Sequence, residues 1–169
     1  MKSVLISIKP KWCKLIANRK KTVEVRKTYP KLETPFKAYI YCAKGEEIWM
    51  AGIKDERSPQ QLNGKVIGEF VCDNILDIND SGISLKVCNA GWKTCMSLDD
   101  FRDYLGNTPA NISGERPKGY AWHISNLVIY DKPKELSEFN HSSKNYHGLV
   151  KVTRPPHDWY YVESAVENG

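Results

Sequence analysis

The sequence has no run of apolar residues approaching the roughly 18 that a membrane-spanning helix requires. Its opening, MKSVLISIKPKW, shows neither a long apolar stretch nor a small-residue cleavage site. None of its five cysteines (Cys13, Cys42, Cys72, Cys88 and Cys95) forms a CxxC pair. Cys88 and Cys95 fit no zinc spacing, so neither a disulfide framework nor a metal centre is expected. Cys42 and Cys72 instead lie in apolar, strand-like runs, where a reduced thiol packs as a small hydrophobe. A glycine-rich phosphate loop, paired histidine ligands and a GxSxG elbow are also missing, which removes sequence support for the common nucleotide-, zinc- and serine-hydrolase machineries. No repeat of 20 to 50 residues is present. What remains is a chain of 169 residues with 41% hydrophobic content, enough for one core and too little for two. The expectation is a single domain over residues 1–169, soluble and cytoplasmic, with no membrane partner and no metal or cofactor.

Acidic residues are scarce at the N-terminus. Residues 1–27 carry nine lysines and arginines against Glu24 alone, a net +8, so the other 142 residues hold −3 of the chain's overall +5. Mixed signs are usual on a solvated surface, and such a segregation favours a phosphate-bearing partner; a charged helix that only aids solubility is the plainer alternative.

SVLISI (Ser3 to Ile8) reads as a strand. Pro10 suits a first helical turn, and Trp12, Leu15 and Ile16 form one apolar stripe, with Asn18 placed for a left-handed cap. KTVEVRKT then alternates, so that Val23 and Val25 face inward while Thr22, Glu24 and Arg26 share the opposite face. PFKAYIYCAK and GKVIGEFVCDNILDI supply further strands, with Gly64 and Gly68 at positions suited to a turn and a bulge or close approach. ISLKVC reads as another strand and GEEIWMAGIKDERSPQQLN as a surface excursion. SLDDFRDYLG is a helix with a serine cap, acids in its first turn and a terminal glycine. GYAWHISNLVIYDKP is the strongest strand of the second half, and LVKV a last short one. The rings of Trp159, Tyr160 and Tyr161 are too large to float free, so the tail should fold back on the domain. The tally is α+β, a barrel or sandwich.

The order of strand, IKPKWCKLI helix and KKTVEVR strand resembles the opening of the ASCH domain family, a branch of the PUA-like superfamily, whose motif is GxKxxExR. Lys21, Glu24 and Arg26 match it in register, and Arg19 stands at the glycine position, where a left-handed backbone would favour glycine. FKAYIYCAK, GKVIGEFVCD and GYAWHISNLVIYDKP extend the likeness over Met1 to Pro133, and the small ASCH proteins of phages and mobile elements are among those it resembles. The resemblance implies a mixed β-barrel with short helices over its openings, residues 134–169 being an extension packed on it. It also implies nucleic-acid binding, RNA above all. One bacterial branch is an amidohydrolase acting on N4-acetylcytidine through a lysine, a threonine and a glutamate. Its lysine falls on Lys21, but its threonine position is Glu24 here.

Three functions follow as candidates. In the first, Lys9, Lys21 and Arg26 meet phosphate or nucleotide in a basic cleft, Thr22 and Glu24 share its wall, and Glu24 orients the cations or accepts a base amino group. Trp12, Tyr41 and Trp122 are candidates to stack on a base, although each also fits a core position. In the second, a metal-free amidohydrolase, a desolvated Lys21 acts as base or nucleophile and Glu24 moves the proton. The third is an interaction protein that binds another protein. A structural salt-bridge ladder accounts for the same residues without any ligand.

Overall fold

The computed structural model describes residues 2–51, 60–78, 87, 89–106, 119–142 and 150–163. The ISLKVC strand, apart from Val87, and the middle of the excursion after Gly45 lie outside the described residues, as does Cys88.

The N-terminal strand β1 (Lys2–Ile8) is apolar on both faces and is accordingly internal. It pairs in parallel with β3 (Phe36–Cys42), and the crossover between them holds α1 (Pro10–Ala17) and β2 (Val23–Arg26). Two short strands, β4 (Met50–Ala51) and β5 (Gln60–Gln61), form a separate ladder. Then come β6 (Val66–Cys72), β7 (Ile75–Ile78), α2 (Leu98–Leu105), β8 (Gly119–His123), β9 (Ser125–Lys134), β10 (Asn140–His141), β11 (Val150–Lys151) and β12 (Trp159–Glu163). The large sheet runs β11-β10-β12-β1-β3-β6-β9 and the smaller one β2-β8-β7.

Two of the apolar runs that read as single strands each supply both sheets. The chain leaves the large sheet after β6 and enters the small one as β7; it returns between β8 and β9. These corners are tied together, His123 N–H donating to the Asn74 carbonyl at 2.9 Å and His123 Nδ1 lying 2.6 Å from Asp73 Oδ1. Because the strands bend at these corners instead of continuing around a ring, the strand pairing of the described residues leaves both sheets open, and the closed barrel expected from sequence is not formed among them.

Burial follows the strand period. Val4, Ile6 and Ile8 join Cys13, Ile16, Phe70 and Trp122 in the central core, whereas Leu5 packs with Tyr39, Tyr41 and Phe139 on the other side of the large sheet. Val23 and Val25 meet Phe101 and Leu105 of α2 in a third cluster. Ser97 caps α2 reciprocally with Asp100, as its sequence signature predicts. Gly64 takes φ +82°, and a Cβ at Gly68 would sit 2.3 Å from the Val128 carbonyl oxygen, where the β6–β9 register slips. The tail enters the large sheet itself: β12 pairs with β1 from Lys2↔Glu163 to Ile6↔Trp159.

Candidate functional site

Strand β2 is buried on both faces, although alternate positions are charged. With Val23 and Val25 committed to the α2 cluster, Glu24 and Arg26 turn toward the space between the sheets, Glu24 directly opposite Trp122 on β8. Arg26, 7% exposed, reaches across to the large sheet. Its Nη2 donates to the Ser7 carbonyl at 2.6 Å and to Glu24 Oε1 at 2.9 Å, and its Nη1 donates to Asp158 Oδ1 at 2.6 Å. Asp158 is placed by the step into β12, where its own carbonyl accepts from Ser7 N–H at 2.9 Å. Burial alone would lower the Arg26 pKa, but Glu24, Tyr104 and Asp158 outweigh it and hold the guanidinium charged.

Lys21 is the second cation, 2% exposed. Its Nζ donates to the Thr94 carbonyl at 2.6 Å and lies 3.5 Å from Glu24 Oε2, an ion pair too long for a good hydrogen bond. The Trp12 ring centroid is 4.9 Å from the same Nζ. Burial pushes the Lys21 ammonium below its usual pKa, with Glu24 partly opposing. Glu24 Oε2, Arg26 Nε and Trp122 Nε1 are buried without a hydrogen-bond partner among the described residues. An acceptor and two donors are thus left uncommitted in a low-dielectric interior, where such groups are costly.

The segment 92–97 lies over this cluster. Thr22 N–H donates to the Lys93 carbonyl and Lys93 N–H to Thr22 Oγ1, each at 2.9 Å, while Cys95 Sγ is 3.3 Å from the Lys20 carbonyl. Trp92 stacks on His123 with centroids 4.5 Å apart. No group of three His, Cys, Asp or Glu side chains among the described residues is arranged to hold a metal.

The structure therefore brings Lys21, Glu24 and Arg26 together, with half-buried Trp12 alongside and Thr22 in the covering segment's hydrogen bonds. Lys9 is exposed at the N-cap of α1. Trp122 is fully buried on the face that carries Glu24, and Tyr41 packs against Tyr39 and Phe139 beyond the large sheet. The Arg26 fork is occupied by protein acceptors, so it positions Glu24 rather than presenting itself outward. Asp158, the Thr94 carbonyl and the Ser7 carbonyl complete the cluster. Sequence carries no local signal for them, since Asp158 is 132 positions from Arg26. The open concavity of about 570 Å³ lies one strand row away, beyond Arg26, with Tyr120 in its wall.

No protein-family profile and no curated protein matches the sequence. Solved structures do. The ASCH protein of Zymomonas mobilis superposes with a TM-score of 0.61 at 19% identity, over 96% of this chain and 88% of that one. A tyrosine-to-phenylalanine variant of the same protein gives 0.62 at 18% identity over 98% and 93%, and a serine-to-alanine variant 0.60 at 19% over 96% and 89%. The likeness includes the C-terminal strands that complete the large sheet. The fold of this chain is that of an ASCH domain.

Proposed function

We propose that the chain binds nucleic acid, RNA in the first instance, through cations exposed on its N-terminal helix–strand unit and on the segment 92–97 beside it, and that the Lys21–Glu24–Arg26 cluster beneath recognises a base or nucleotide group. The carrying observation is a division among the charges. Lys9, Arg19, Lys20, Lys27 and Lys93 are exposed and have no carboxylate partner among the described residues, whereas Lys21, Glu24 and Arg26 are buried in mutual contact. The exposed set suits phosphate, whose contacts need reach and solvent-released counterions. The buried set suits discrimination: Glu24 Oε2, ion-paired with Lys21 but without a hydrogen bond among the described residues, can accept a base amino group, and the Trp12 ring lies beside Lys21. Access to Lys21 requires the segment 92–97 to give up the Thr94 carbonyl.

Fluorescence anisotropy with a short single-stranded RNA tests this reading. The logarithm of affinity should fall with the logarithm of salt by about 0.7 per neutralised phosphate. Lys20→Ala with Lys93→Ala should flatten that slope by about 1 to 2. Absent or salt-insensitive binding contradicts it.

A second reading, a metal-free amidohydrolase on modified nucleosides, is favoured by one observation. Lys21 has a depressed pKa and sits 3.5 Å from an uncommitted carboxylate oxygen, the pairing a base or nucleophile with a proton acceptor would need. Release of acetate from N4-acetylcytidine, abolished in Lys21→Ala, would move the assignment to this class.

A further inference from the structure

The open groove of about 570 Å³ has a lining unlike the rest of the N-terminal half. Its position follows from strand register. Across β7, β8 and β2 one row reads Ile75, Trp122, Glu24, and the next reads Asp77, Tyr120, Arg26. The groove lies at the second row and reaches the first at Ile75, so that Asp77, Tyr120 and Ile75 line it from the sheet and Tyr29, Leu32, Glu33 and Asn74 from the flanking segments.

Among the described residues no lysine or arginine lines it, and Asp77 and Glu33 are both exposed without an ion-pair partner there. Arg26, the nearest cation in the row, is claimed by Glu24, Asp158 and the Ser7 carbonyl. Two carboxylates therefore share a lining with two aromatic rings and have no counter-ion among the described residues. Tyr29 is 50% exposed and its centroid lies 4.6 Å from that of Tyr120, the planes tilted by 60°, which leaves a ring face open to a ligand.

We propose that this groove binds a guanidinium group, carried either by an arginine side chain of another protein or by a free arginine-like molecule. A guanidinium is flat enough to lie on the Tyr29 face, donates in a fork that matches a carboxylate, and sheds water more readily than an ammonium. An ammonium would satisfy the charge and meet the ring, but it has neither the flat face that stacks on it nor the forked donors that match a carboxylate. A nucleotide would stack, but would bring its phosphate beside two carboxylates. The volume lies within the range of small-molecule sites. The inference is independent of the nucleic-acid reading, since it uses none of the residues assigned there.

The test is an NMR titration of the full chain with N-acetyl-arginine amide, free arginine, N-acetyl-lysine amide and adenosine. Both arginine probes should shift signals of Tyr29, Tyr120 and Asp77, with the lysine probe at least tenfold weaker. Asp77→Asn with Glu33→Gln, both surface changes, should weaken the arginine probes at least tenfold. Tighter binding of the blocked probe identifies a protein side chain as the source, and tighter binding of free arginine identifies a small molecule; either supports the proposal. Equal affinity for the lysine probe, adenosine shifting these signals while arginine does not, or no shift from any probe overturns it.

Discussion

The most informative residue is Arg19, whose φ of +57° places an arginine in the left-handed region. The helix ends where sequence places its end, but the left-handed residue falls one position later than expected, because Asn18 keeps φ −83° and the turn falls on its neighbour. This is the position at which the ASCH motif has glycine, and the departure read from sequence thus has a conformational cost. Arg19→Gly should stabilise the protein by about 1 kcal/mol in urea denaturation, the relief of strain outweighing the added chain entropy. Arg26→Ala should have the opposite effect. It strands the buried Glu24 and leaves the part-exposed Asp158 unpaired, and a loss of about 3 kcal/mol is expected, read as a lowered urea midpoint at unchanged slope. Lys21 makes a pH prediction. Its folded pKa is depressed by burial, so between that value and the unfolded 10.5 the unfolded chain carries the extra proton. The Lys21 contribution to stability therefore rises with pH across that window. Wild type measured against Lys21→Met should show the difference growing toward pH 10.5, and a difference flat with pH would contradict the buried-ammonium assignment.

At the scale of elements, the helix α2, strands β1 to β3 and the alternation of β2 were legible, because capping chemistry and the facing of side chains along a strand are local. The corners were not. GYAWHISNLVIYDKP is one apolar run in sequence, but it breaks at Ile124 and feeds two sheets, since tertiary ties such as those of His123 to Asn74 and Asp73 mark the bend. The same holds for the tail. Aromatic bulk predicted that residues 159–161 pack, but their place in the large sheet depends on pairing with β1, more than 150 residues away. Gly68 tests the β6–β9 contact directly. A methyl group there would meet the Val128 carbonyl at 2.3 Å, so Gly68→Ala should cost about 1–3 kcal/mol, visible in thermal unfolding.

For the whole molecule, the concentration of nine cations in the first 27 residues resolves into two populations that composition could not separate, one solvated and one internal. The motif residues were legible as a group because GxKxxExR fixes their spacing. Their burial was not, since it depends on Asp158 and the segment 92–97 closing from distant parts of the chain. The central claim is that a nucleic-acid ligand engages this interior cluster and not merely the cations around it. Lysine side chains labelled at Cε and followed by NMR during titration with single-stranded RNA test it most directly. Engagement of the interior cluster should shift the Lys21 signal together with those of Lys20 and Lys93 as RNA saturates. Shifts confined to the exposed lysines, with Lys21 unmoved at saturation, would contradict it.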